Sequence, residues 1–177
     1  MLLTLLISAL LLMTIGMLTA PATQCLMHGL LTALCLLDGM TLSPMPQMAV
    51  FCSVIAVLGG ILLNGILKFQ RYQLSSKELF FGVCIILFAI TIMTYGIPPS
   101  ISRLEFSILF AIIMVGFLYS ILGKTIAVQS VGTSYILNAL LLMVGLKGYL
   151  SALVTLLVFY VIFWGMAFWM TKRLGHQ

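Results

Sequence analysis

Uninterrupted apolar runs of about twenty residues dominate the sequence, and no Asp, Glu, Lys or Arg stands in the middle of any of them. A run of that length crosses the hydrocarbon core of a bilayer as one α-helix. Seven such runs are found: Leu2–Thr19, Thr23–Gly39, Met48–Phe69, Leu79–Ile97, Phe106–Gly123, Ile126–Leu146 and Leu150–Thr171. The runs are continuous and do not alternate apolar with polar residues, which argues against the strands of a membrane barrel. The expected fold is an all-α, polytopic transmembrane helical bundle of about seven helices, forming one domain over residues 1–177.

The breaks between runs carry the residues that end helices. Ala20-Pro21 separates the first pair and Pro44-Met45-Pro46 the second. The polar segment Gln70 to Lys77 follows the third run, and Pro98-Pro99-Ser100 closes the fourth. Gly123-Lys124 and Lys147-Gly148 mark the last two turns. Proline cannot continue a helix without losing a hydrogen bond, and glycine reaches the backbone conformations that tight turns demand. The first run is followed by Ala20-Pro21-Ala22 but lacks a positively charged leading segment, so it reads as a membrane span and not as a signal peptide.

Only 6% of the 177 residues are charged and 63% are hydrophobic, too few charges to cover a water-facing surface. The eight basic residues lie singly between the apolar runs, a pattern that orients helices and does not form a nucleic-acid surface. With the N-terminus out and the C-terminus in, the inner side holds Lys68, Arg71, Lys77, Lys124, Lys172 and Arg173, against Arg103 and Lys147 outside. That asymmetry follows the positive-inside rule. The cysteines Cys25, Cys35, Cys52 and Cys84 sit inside apolar runs without metal-ligand spacing, and read as small buried hydrophobes.

A shift of about 105 residues lays the first three runs on the last three. Ala22 then meets Ala127, Gln24 meets Gln129, and Leu36-Leu37 meet Leu141-Leu142. This suggests two parallel three-helix repeats, 1–70 and 105–173, linked by the helix 79–97.

Polar residues inside the runs are the candidate functional groups, because such groups are costly in lipid and turn toward protein or a cavity. Ser130, Ser134 and Asn138 recur every four residues on one face of the sixth run, flanked by Gln129 and Thr133. Gln24, His28, Thr32 and Cys35 share a broad face of the second. His28 is the one titratable group well inside a span, apart from the cysteines and tyrosines. Asn64 stands among Gly59-Gly60 and Gly65 of the third run, where glycines permit close helix approach. Two readings stand for this set. It is a hydrated path for protons or ions, or it is interhelical contact through small residues and hydrogen bonds. Tyr95, Tyr119 and Trp169 suit helix-end anchoring at the interface, whereas Tyr160 and Trp164 lie deeper and suit packing. No phosphate loop, metal cluster or nucleophile–base pair is present, so no cofactor and no catalytic residue is assigned to this chain.

The stretch FSILFAIIMVGFLYSILGKTIAVQSVGTSYILNALLLMV, Phe106 to Val144, resembles the start of the K (or 4L) subunit of respiratory complex I. The shared elements are an apolar helix, the basic turn Gly123-Lys124, and a second helix bearing Gly132 and the pair Asn138-Ala139. The whole chain resembles the E component of hydrogenase-4-type complexes, down to the basic tail Lys172-Arg173-Leu174-Gly175-His176. The resemblance implies a non-catalytic membrane-arm subunit of a complex I-like or energy-converting [NiFe]-hydrogenase-like assembly in a bacterial or archaeal inner membrane. Its partners would be antiporter-like membrane subunits and lipid, and Fe–S clusters and NiFe or quinone sites would belong to other chains. One departure matters: Ser134 stands where 4L-like subunits carry a glutamate, and the last run has no carboxylate either. A small self-contained transporter and an assembly or anchor protein remain as alternatives.

Overall fold

The computed structural model describes residues 2–16, 21–67, 82, 84 and 101–174, and every regular element among them is helical. The helices are α1 (Leu2–Gly16), α2 (Pro21–Asp38), α3 (Pro46–Leu67), α4 (Ile101–Leu122), α5 (Ile126–Lys147) and α6 (Leu150–Leu174). A short 3-10 turn, Gly39–Leu42, extends α2. The polar segment Gln70 to Lys77, nearly all of the run Leu79–Ile97, with Tyr95, and the tail beyond Leu174 lie outside the described residues. So α4, α5 and α6 correspond to the fifth, sixth and seventh runs of the sequence.

Among the described residues, five helical segments are long and apolar enough to cross a bilayer: Ala22–Leu42, Pro46–Leu67, Leu104–Leu122, Ile126–Lys147 and Leu150–Met170. The chain is therefore an integral membrane protein. Helix α1 is apolar too, and the described part of it is 15 residues long.

Local chemistry sets the helix ends. Pro21 and Pro46 open α2 and α3, the position at which a missing N–H costs nothing. Thr125 caps α5, its side chain accepting from the Val128 N–H at 3.3 Å. At the other end Gly148 takes the left-handed conformation, φ 72°, and its N–H bonds the Val144 carbonyl at 2.9 Å. Ser43 ties the α2–α3 turn to this end of α5 by donating to the Gly145 carbonyl at 2.9 Å.

The long-range bonds fix the relative directions. Thr4 at the start of α1 meets Glu105 at the start of α4, and Thr14 near its end meets Tyr119 near the end of α4, so the two helices run parallel. His28 and Leu36 of α2 meet Asn138 and Gly145 of α5, again parallel. Helix α3 packs on α6, with Gly59 against Tyr160 and Trp164. Each of the first three helices thus touches the helix to which the 105-residue shift assigns it.

Helix α5 is the centre, with 67% of its span buried, while only 22% of the α6 span is covered. Lipid tails are as apolar as leucine, so helices in a bilayer gain their association from close packing and interhelical hydrogen bonds. One close approach joins α4 to α5, where a Cβ on Gly132 would fall 2.5 Å from the Gly116 carbonyl oxygen. Gly29 of α2 meets Ala56 and Gly60 of α3 in the same way, its would-be Cβ 2.5 Å from the Ala56 oxygen. Gly65, expected to serve such a contact, has no neighbour within 4 Å of its would-be Cβ among the described residues. Gly132→Ala should therefore lower stability by about 1–3 kcal/mol, because backbone must shift to admit the methyl. Gly65→Ala should be neutral or stabilising, since alanine favours the helix by roughly 0.5–1 kcal/mol. Unfolding of the two variants in mixed micelles compares them directly.

Candidate functional site

The polar side chains of the core converge on His28. Its ring is fully buried, and Asn138 of α5 is 2% exposed. The Asn138 amide nitrogen donates to His28 Nδ1 at 3.0 Å, and the Tyr160 hydroxyl of α6 donates to Asn138 Oδ1 at 2.7 Å. On the far side, His28 Nε2 lies 3.2 Å from Thr14 Oγ1 of α1, and that hydroxyl is 2.7 Å from the Leu10 carbonyl. Four helices, α1, α2, α5 and α6, meet in this one chain of side chains.

The chain has a direction. An amide nitrogen can only donate, so Nδ1 accepts, and the ring proton belongs on Nε2, facing Thr14. Thr14 Oγ1 accepts a hydrogen bond from it and donates its own to the Leu10 carbonyl. Donation therefore runs from Tyr160 to Asn138, from Asn138 to His28, from His28 to Thr14, and from Thr14 to the Leu10 carbonyl. This assignment holds for the neutral imidazole; a second ring proton would point at the Asn138 amide hydrogens. Full satisfaction matters here, because an unpaired polar group in an apolar interior costs about 1–3 kcal/mol.

Aromatic rings wall the junction. Tyr135 stacks on the imidazole with centroids 4.3 Å apart and planes 30° apart, and Tyr119 meets Tyr135 edge-on at 5.9 Å. Tyr119 was expected to anchor a helix end at the interface; instead it is buried and donates to the Thr14 carbonyl at 3.1 Å. Tyr160 packs on Trp164 with centroids 5.2 Å apart, as its depth implied. Trp169 is exposed, with the Arg173 guanidinium 4.4 Å above its ring.

The remaining polar residues divide into separate groups. Ser134 is buried beside the junction and hydrogen-bonds the Cys25 side chain. Gln129 and Thr133 turn toward α4: Gln129 Nε2 donates to the Gly123 carbonyl at 2.9 Å, and Thr133 Oγ1 lies 3.2 Å from Ser120 Oγ. With Ser130 they line one wall of a cleft of about 450 Å³, whose other wall is the apolar Phe159, Phe163 and Met166 of α6. Gln24 is buried and donates to the Met13 carbonyl at 2.7 Å. Gln24 and Gln129, matched by the 105-residue shift, thus do the same thing: each bonds a carbonyl at the end of the preceding helix. Asn64 is half-buried, one turn beyond the Gly60 contact. Cys25, Cys35 and Cys52 are buried. Among the described residues no three His, Cys, Asp or Glu side chains gather to hold a metal ion.

Sequence reasoning found His28 and Asn138 but missed Thr14, Tyr135 and Tyr160 as their partners. A single threonine or tyrosine in an apolar run carries no periodic signal. Only the crossing of four helices brings these residues together. No family model, no curated protein and no solved structure matches the chain.

If the junction is one coupled unit, His28→Leu and Asn138→Leu should each destabilise the protein, and their effects should not add. A double-mutant cycle read by unfolding in micelles should give a coupling of about 0.5–2 kcal/mol. Additive effects would show that the two side chains act independently.

Proposed function

We propose that the chain is a non-catalytic membrane-arm subunit of a complex I-like or energy-converting hydrogenase-like assembly. The observation that carries the reading is the closed junction at His28. The histidine that could move protons is buried, bonded at both ring nitrogens and sealed by Tyr135. Such an arrangement suits fixing helix positions better than exchanging protons with water. The sparse cover of α6 supports the same reading, since Val154, Val158, Val161 and Ile162 are exposed and offer an apolar face to partner helices or lipid. The α4–α5 hairpin, with its basic turn and its Gly116–Gly132 approach, lies within the stretch that resembles the 4L-type subunits.

In this reading the chain has seven spans in a bacterial or archaeal inner membrane, with the N-terminus out and the C-terminus in. Fe–S clusters and NiFe or quinone sites belong to other chains. The cleft bearing Gln129, Ser130 and Thr133 is the part through which this subunit would contribute a lateral hydrated path. Tagged protein extracted in mild detergent should bring down antiporter-like and hydrogenase or quinone-reductase subunits. A monodisperse, active species made of this chain alone would overturn the assignment.

A second reading, a self-contained transporter of two parallel repeats, draws on the matched glutamines and the side-by-side packing of α1 with α4, α2 with α5 and α3 with α6. Liposomes holding only this chain decide between the two. Ion flux abolished by His28→Ala favours transport, and absence of flux with loss of partner assembly favours the subunit.

A further inference from the structure

One end of the bundle gathers the starts of α1, α4 and α6 and the end of α5. A pocket of about 460 Å³ opens there, within the range of roughly 300–1,000 Å³ usual for small-molecule sites. Its walls are largely apolar, including Leu3, Leu109, Met143 and Val144. Two opposite charges also line it, Glu105 from the first turns of α4 and Lys147 from the last turn of α5. Tyr149, exposed beside them, is a residue type that settles at the headgroup level of a bilayer.

Glu105 is one of three acidic residues in the sequence, so its place on an apolar pocket is not a matter of general surface charge. Thr4 donates to its Oε1 at 3.2 Å, which holds the carboxylate in position and leaves Oε2 for another donor. Lys147 supplies an ammonium on the same pocket. Carboxylate, ammonium and an apolar interior match a ligand with a cationic N–H donor, an anionic oxygen group and a hydrocarbon chain.

We propose that this pocket binds a glycerophospholipid with a primary-ammonium headgroup. The lipid ammonium donates to Glu105, its phosphate accepts from Lys147, and part of an acyl chain runs down between Leu109 and Met143. The helix ends put the two charges where headgroups lie, and the apolar walls continue toward the hydrocarbon core. The inference depends on the membrane embedding of the chain and not on which complex it joins.

The test is native mass spectrometry of the full-length, delipidated protein in mild detergent. It is titrated with phosphatidylethanolamine, phosphatidylcholine and phosphatidylglycerol of identical acyl chains. Phosphatidylcholine has no N–H and phosphatidylglycerol no cation, so the ethanolamine lipid should bind roughly tenfold more tightly than either, the order expected from one charge-assisted hydrogen bond. Glu105→Gln should erase the preference for ethanolamine over choline. Lys147→Gln should weaken all three lipids, and Lys124→Gln, at the other end of α5, should change nothing. Circular dichroism and thermal unfolding check that each variant is folded. Should Glu105→Gln fail to fold, Val144→Trp fills the pocket without touching a charge, and it should displace the lipid. Equal binding of ethanolamine and choline lipids to the unmodified protein overturns the proposal. So does a preference that survives Glu105→Gln or Val144→Trp, and so does a pocket that takes no lipid at all and is filled only by another polypeptide.

Discussion

The hydrogen bond from Asn138 to His28 joins the two helices that the others pack around, and it does so where no hydrophobic force is available. In water, burying apolar surface would drive α2 against α5 without help. In a bilayer the lipid offers each leucine an equally apolar neighbour, so polar pairing and close backbone approach must select the arrangement. The 3.0 Å contact at Nδ1 supplies the first of these. Because Asn138 also accepts from Tyr160 and His28 also meets Thr14, the same contact sets the positions of α6 and α1.

Glycine supplies the second. The approach of Gly132 to Gly116, and of Gly29 to Ala56 and Gly60, brings backbones within reach along the two interfaces that flank the junction. The polar pairs then fall at hydrogen-bonding distance because the backbones are already close. Ser120, one turn after Gly116, and Thr133, next to Gly132, bond across the gap those glycines leave. Small residues and polar residues thus work together: one permits approach, and the other fixes register and direction.

Much of the bundle was legible because lipid imposes simple rules. Apolar run length gave α2, α3, α4, α5 and α6 to within a few residues, since a helix crossing hydrocarbon can contain no unsatisfied backbone. Gly148, Pro21 and Pro46 marked helix ends by chemistry that acts within one turn. The site was legible only in part. His28 and Asn138 stood out as polar residues at membrane depth, but Ser134 and Asn138 part in space from Gln129, Ser130 and Thr133, because α5 turns one side to α2 and another to α4. Tyr119 is a related case: proximity to a helix end says nothing about whether a ring points outward or in.

By itself the sequence determined the solvent, the class of fold and the residues able to pair at depth, since each depends on one side chain and its nearest neighbours along the chain. Tertiary structure alone decided the partners. Thr14, Tyr135 and Tyr160 reach His28 or Asn138 from three helices, and Glu105 reaches Thr4 across 101 positions. No local pattern encodes such meetings. They arise when helices of fixed length, brought close by glycine, rotate until most of their few polar groups are satisfied, and that condition is set by all the helices at once.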